Sequence, residues 1–156
     1  MMATLASNNP LAPIRACVAD TSLLTDSASL ALFSHDVLSR GNEPLAVFRP
    51  QSVEELAKGV GAATKAGLAI VPRGGGMSYT GGYLYEGGDH ILVDTAGLNE
   101  ILEINETDMP VTVEAGCSWD KLFRTLQPMG LRALAWGTLS GIRASGGGGM
   151  SQNGLF

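Results

Sequence analysis

Apolar and polar positions divide this chain into short elements with distinct periods. Residues 45–48, Leu-Ala-Val-Phe, form an apolar run between Pro44 and Pro50, the pattern of a buried strand. Ser52 stands three residues before Glu55, a capping box. Val53, Leu56, Ala57, Val60 and Ala63 then recur at helical spacing, and Gly67 supplies the stop. Leu68 to Val71 is a second apolar run. Strand, helix and strand in so short a span predict a parallel pair with a right-handed crossover. His90 to Asp94 reads as a third strand, and residues 98–104 and 110–115 as a hairpin turning around 105–109. Ser118 caps a helix with apolar positions Trp119, Leu122, Phe123, Leu126 and Met129, stopped by Gly130, and residues 131–136 read as a further strand. In the leader, residues 1–10 are expected to be disordered. Residues 14–19 predict a helical turn, and Asp26 caps a short helix through Leu30, Leu32 and Phe33. The whole leader, residues 1–43, is expected to pack on the outside of the domain.

The strand at 68–71 runs into the stretch 71–82, Val-Pro-Arg-Gly-Gly-Gly-Met-Ser-Tyr-Thr-Gly-Gly. Gly74, Gly75, Gly76, Gly81 and Gly82 allow positive φ and close approach to the backbone. Successive N–H groups in such a turn can form a concave nest for phosphate, with Arg73 and Ser78 as polar supplements. Ligands of parallel sheets bind beyond the carboxyl ends of the strands, where this loop sits. Taken alone, the run fits a flexible linker equally well. A second run, residues 146–154, Gly-Gly-Gly-Gly-Met-Ser-Gln-Asn-Gly, shifts the balance. A dinucleotide fingerprint fails because Tyr79 occupies the place of its third glycine, and a P-loop fails because Gly82 and Tyr83 replace its lysine and hydroxyl residue.

Four pieces in order resemble one family. They are residues 44–56 (Pro-Leu-Ala-Val-Phe-Arg-Pro-Gln-Ser-Val-Glu-Glu-Leu), the first glycine stretch, residues 111–116 (Val-Thr-Val-Glu-Ala-Gly), and residues 137–141 (Gly-Thr-Leu-Ser-Gly) with the second run behind them. Together they resemble FAD-linked oxidases of the vanillyl-alcohol oxidase / p-cresol methylhydroxylase (PCMH) type, nearest to the D-lactate dehydrogenase and glycolate oxidase flavin-subunit group. The resemblance implies an α+β fold: a small parallel βα subdomain over residues 44–104, then the start of an antiparallel α+β subdomain over 105–156, with FAD between them. It implies a pyrophosphate site at Arg73, Gly74, Gly75, Gly76, Met77, Ser78, Gly81 and Gly82. Gly137, Thr138, Ser140, Gly141, Gly146, Gly147, Gly148, Ser151, Gln152 and Asn153 would approach the ribityl chain and flavin from the other side. Arg73 is read either as neutralising the pyrophosphate or as packing on the loop's outer side. Gln152 and Asn153 fit an exposed polar turn equally well. Some members link flavin covalently to a histidine in the first loop; Met77 stands there here, so FAD is expected to be bound non-covalently. Valine at Gly75 or Gly76 is expected to abolish flavin binding with the fold largely intact.

Composition narrows the partners. Of 156 residues, 45% are apolar and only 16% charged, which suits a chain wrapping a buried ligand. A net charge of −5 argues against nucleic acid. Cys17 and Cys117 give neither a disulfide framework nor a metal-ligand spacing, and with no targeting pattern or spanning apolar run they suggest a reduced, cytoplasmic setting. His35 and His90 read as structural, and Asp94 and Glu114 as ordinary strand-end or edge residues. No catalytic residue is assigned. Nothing in the sequence corresponds to the family's substrate-binding cap. The chain therefore reads as the FAD-binding front of an oxidoreductase acting on a 2-hydroxy acid or related alcohol, completed by a following region or another chain. The alternative is a non-catalytic flavin-binding module.

Overall fold

The computed structural model describes residues 9–133 and 140–152. Its elements in chain order are α1 (Ala12–Arg15), β1 (Leu23–Leu24), α2 (Ser27–Phe33), β2 (Ala46–Phe48), α3 (Val53–Lys65), β3 (Ala69–Arg73), β4 (His90–Asp94), β5 (Ile101–Ile104), β6 (Val111–Val113), α4 (Trp119–Leu126) and α5 (Gly146–Ser151). One four-stranded sheet has the order β1-β2-β4-β3, with β2, β4 and β3 parallel and β1 antiparallel at the edge. The β2–α3–β3 unit is therefore not a neighbouring pair, as its sequence predicts, because β4 inserts between its strands. The apolar pattern of β4 explains this: all five of its residues are buried, which only a central strand covered on both faces requires.

Alternation along the strands sorts the core. Ala46, Phe48, Ile91, Val93 and Leu68 cluster with Ala63 of α3, while Val47, Leu92 and Val71 meet Phe33 and Tyr83 on the other side. Burying a ring such as Phe48 contributes roughly 1.5–3 kcal/mol. The leader corrects the expectation that it lies outside. Ile14 and Leu23 belong to the first core cluster and Phe33 to the second, and β1 forms a sheet edge. Residues 1–8, expected to be disordered, lie outside the described residues, as do 134–136 of the strand expected after Gly130; residues 131–133 form no regular element.

The caps follow the sequence with one change. Asp26 accepts from the Ser29 N–H, Ser52 from Glu55 and Ser118 from Lys121. Glu55 does not reach back to the Ser52 N–H; its carboxylate accepts from Gln51 at 2.7 Å and Ala19 at 3.0 Å, tying the leader to α3. Burial alone would raise the Glu55 carboxyl, but these N–H groups outweigh it and hold it below the ordinary value. Gly67 and Gly130 terminate their elements at positive φ. The β5–β6 hairpin forms its own sheet, with the turn closed by the Met109 N–H on Asn105 O, and it straddles residue 104, where the two subdomains were expected to divide. Cys117, Leu122 and Leu126 pack a third core cluster beneath it.

Candidate functional site

At the carboxyl end of β3, Arg73 pairs in register with Asp94 and the chain then leaves the sheet. Gly76 and Gly81 adopt φ of 71° and 75°, the left-handed region that favours glycine. The Tyr83 hydroxyl donates to Gly76 O at 3.0 Å and pins the first bend. Ser78, itself buried, accepts at Oγ from the N–H groups of Thr80 and Gly82 at 3.3 and 3.0 Å. The Gly81 N–H donates to Asp36 Oδ2 at 2.8 Å, and Ser78 O accepts from the Val37 N–H at 3.0 Å. Against this well-tied frame, the backbone N–H groups of Gly74, Gly75, Gly76, Met77 and Ser78 donate to no described residue. They are five consecutive unspent donors on a partly exposed loop.

The second glycine run is the opposite case. It forms the helix α5, capped by Ser145, whose Oγ accepts from the Gly148 N–H at 3.2 Å. Gly146 donates to Cys117 O at 2.8 Å, Gly147 to Ala115 O at 3.0 Å and Gly149 to Ser145 O at 2.9 Å. The Ser151 hydroxyl donates back to Gly148 O, and Ser140 O accepts from the N–H groups of Arg143 and Ala144. Every glycine N–H of this helix is therefore satisfied by protein. Gly141 is buried and Gln152 is exposed; Gly137, Thr138 and Asn153 lie outside the described residues.

The two runs touch. A Cβ at Gly74 would lie 2.5 Å from Ser145 Oγ and 3.4 Å from Gly148 Cα, and one at Gly75 would overlap Arg143 O and stand 2.9 Å from Ala144 Cα. Gln152 Nε2 stands 3.3 Å from a Cβ built at Gly82. The structure thus brings residues 74–82 together with 143–152. It also corrects the expectation that valine at Gly75 would spare the fold, because that glycine is where one loop packs on the other.

Beneath the loop lies a charged group that the sequence does not reveal. Asp94 is 1% exposed and central, not an edge residue as its sequence position suggests. Its Oδ2 accepts from Arg49 Nη2 and Nε at 2.8 Å, and its Oδ1 faces Arg73 Nη1 at 3.8 Å. The Arg73 guanidinium stacks over Phe33 and Tyr83, 4.6 and 5.2 Å from their centroids. It also fills the space a side chain at Gly76 would need. Of the two readings of Arg73, the geometry favours packing: its charge is shared with Asp94 and it props the loop from inside. Its Nε, buried, has no partner among the described residues. Burial pushes the Tyr83 phenol up, against the opposing effect of Arg73, so it stays protonated and donates.

His90 is buried, with its ring 4.9 Å from Tyr85 and Nδ1 3.3 Å from Gly88 O, and His35 forms an isolated backbone bridge with Arg40. Both cysteines are free, and burial raises the Cys117 thiol, which keeps it protonated. Among the described residues no cluster of metal-ligating side chains occurs and no helix is long and apolar enough to cross a membrane. Asp36, Asp94 and Ala115 are site-frame residues that sequence reasoning missed. Asp36 carried a signal as an Asx-turn residue two positions before Leu38, and Ala115 lay inside the 111–116 piece with no role of its own assigned.

A parallel βα unit, a glycine loop at the strand ends and an antiparallel unit meeting it define a PCMH-type FAD-binding fold. The comparisons agree. A profile of the FAD binding domain family matches residues 44–155, and the chain belongs to that family. The chain is 33% identical over 110 residues to D-2-hydroxyglutarate dehydrogenase of Xanthomonas citri pv. viticola, covering 70% of this chain and 23% of that protein. It is 28% identical over 108 residues to the mitochondrial cytochrome D-lactate dehydrogenase of Kluyveromyces lactis, covering 68% and 19%. It is 28% identical over 106 residues to glycolate oxidase subunit GlcD of Bacillus subtilis, covering 67% and 22%. The chain thus spans roughly a fifth of the length of these relatives. A crystal structure of p-cresol methylhydroxylase with substrate bound superposes with a TM-score of 0.82 at 18% identity, covering 94% of this chain and 29% of that one. That likeness carries the fold. The cofactor of the domain is FAD.

Proposed function

We propose that this chain holds the FAD of a flavin-dependent dehydrogenase or oxidase that acts on a 2-hydroxy acid or related alcohol. The carrying observation is the row of five N–H groups from Gly74 to Ser78, at the end of β3, that donate to no described residue. A pyrophosphate brings negative charge that must be desolvated, and several converging N–H donors replace the lost water. These donors belong to a loop held by Tyr83, Asp36 and Ser78, so little ordering entropy remains to be lost on binding. The second run lends its side chains: Gln152 lies beside Gly82, while the N–H groups of Gly146 to Gly149 serve the helix and hold it on the hairpin. FAD, when bound, supplies the two-electron acceptor for alcohol oxidation. The substrate's own contacts are assigned to a following region or a second chain. The attachment is non-covalent, since residues 73–89 contain neither histidine nor cysteine and Cys117 is a buried, protonated thiol. A cytoplasmic setting is part of this reading, supported by the two free cysteines.

Titrating the purified protein with FAD tests it. The expected result is stoichiometric flavin retention on gel filtration, competition by ADP, and complete release of flavin on denaturation. Failure to retain FAD, or flavin fluorescence remaining with the denatured chain, would contradict the first or the second part respectively. Because the substrate's contacts are assigned outside this chain, the flavin-loaded protein alone is expected to show no turnover of D-2-hydroxyglutarate, D-lactate or glycolate with an artificial acceptor, and measurable turnover would overturn that assignment.

A further inference from the structure

The family match begins at residue 44, yet the segment before it is built into the glycine loop. Asp36 forms a double tie. Its Oδ1 accepts from the N–H groups of Leu38 and Ser39 at 2.8 and 2.6 Å, closing its own turn, while Oδ2 accepts from the Gly81 N–H at 2.8 Å. Beside it the Val37 N–H donates to Ser78 O at 3.0 Å, so both backbone ends of the stretch 78–81 are held from the leader. The same strand of contacts continues downstream. Asn42 donates from its N–H to Tyr85 O at 3.0 Å and from Nδ2 to Gly87 O at 3.1 Å, and a Cβ at Gly41 would meet Tyr85 N at 3.1 Å.

We infer that residues 34–42 are a strap belonging to the cofactor site, and that Asp36 is a positioning residue for the pyrophosphate loop. The inference rests on the FAD reading above. Its physical basis is that Gly81 sits at φ 75° with nothing within 4 Å of a Cβ built on it, so its peptides are held by hydrogen bonds: its O accepts from the Leu84 N–H at 3.0 Å and its N–H donates to Asp36. The Asp36 carboxylate is the described acceptor that fixes its N–H. With that tie cut, Gly81 and Gly82 regain the conformational freedom of glycine. The Gly82 N–H to Ser78 Oγ bond then loosens, and Ser78 with its unspent N–H is no longer held in register with Gly74 to Met77. Binding then carries an ordering cost that the intact strap removes beforehand.

The substitution Asp36→Asn separates the two functions of the carboxylate. The amide oxygen can still accept from Leu38 and Ser39, keeping the turn, while an NH2 group replaces the acceptor facing Gly81. Affinities for FAD and for riboflavin, which lacks the pyrophosphate, are measured with the thermal midpoint of the flavin-free protein. The expected result is a loss of FAD affinity of roughly three- to tenfold, the scale of one charge-assisted hydrogen bond partly replaced by water. Riboflavin affinity and the midpoint should stay unchanged. Asp36→Ser, which also keeps a turn-closing oxygen but cannot reach Gly81, serves as the second variant and is expected to behave alike. If the wild-type chain binds no FAD, the FAD reading falls and the strap's role with it. If the wild type binds and both variants bind equally well, only the strap is overturned. A parallel fall in FAD and riboflavin affinity with a lowered midpoint would also overturn it, since that is what a purely structural tie produces.

Discussion

The two glycine runs have nearly the same composition and opposite structures. Residues 74–82 form a loop whose first five N–H groups meet no acceptor among the described residues, while residues 146–149 form a helical turn whose N–H groups all meet protein acceptors. The difference lies in what precedes each run. Ser145 stands at φ −90°, ψ 153° as an N-cap, and Cys117 and Ala115 bring carbonyls from the hairpin within 3.0 Å, so the second run is pulled into a helix. The first run follows the edge strand β3, whose last residue, Arg73, is held by Asp94 and two aromatic rings, so no cap forms and the donors stay open. Glycine content thus marks where backbones approach closely, and the acceptors nearby decide whether the partner is protein or ligand.

The largest expected effect comes from breaking the contact between the runs. Gly75→Val places its side chain into Arg143 O and Ala144 Cα. Overpacking against backbone is expected to destabilise by about 3 kcal/mol. FAD binding should disappear and the denaturant midpoint fall together. A midpoint equal to the wild type's would show that the runs are not packed as described.

Gly147→Ala comes next. Its Cβ would stand 2.8 Å from Ala115 O and 2.9 Å from Ala115 Cβ, so α5 must shift off the hairpin, at a cost of about 2 kcal/mol. Since its N–H is spent on protein, FAD affinity should fall less than stability does. Equilibrium unfolding beside flavin titration reads both numbers, and a large affinity loss at unchanged stability would move the ligand to the second run.

The smallest effect separates neighbours within that run. Gly146 has only ordinary contacts, 3.7 Å to Cys117 O and 3.9 Å to Val113 Cγ2 from a built Cβ. Gly146→Ala should therefore stabilise the helix by about 0.5 kcal/mol. Destabilisation at this position would mean that the helix itself is misassigned.

Much of this was legible in the sequence, and the misses have physical causes. The caps at Asp26, Ser52 and Ser118, the stops at Gly67 and Gly130, and the strand at His90 to Asp94 follow from local chemistry, which neighbouring residues alone decide. Strand order was not local: only burial on both faces puts β4 between β2 and β3, and a parallel partner many residues away leaves no mark on their loops. The leader misled because its elements are short, and the burial of Ile14, Leu23 and Phe33 depends on the sheet that receives them. At the site, the loop residues stood out by their glycines and by the family resemblance, whereas Asp94 and Arg49 lie 45 residues apart and reveal their pairing only in three dimensions.

The central claim is that the first run, and not the second, presents its backbone to the pyrophosphate. Amide proton and nitrogen shifts of the isotope-labelled protein, followed during titration with FAD and then with inorganic pyrophosphate, test it residue by residue. The account predicts large shifts for Gly74, Gly75, Gly76, Met77 and Ser78 with both ligands, and small ones for Gly146 to Gly149, whose N–H groups are already taken. Large shifts at Gly146 to Gly149 with residues 74–78 unmoved would contradict it.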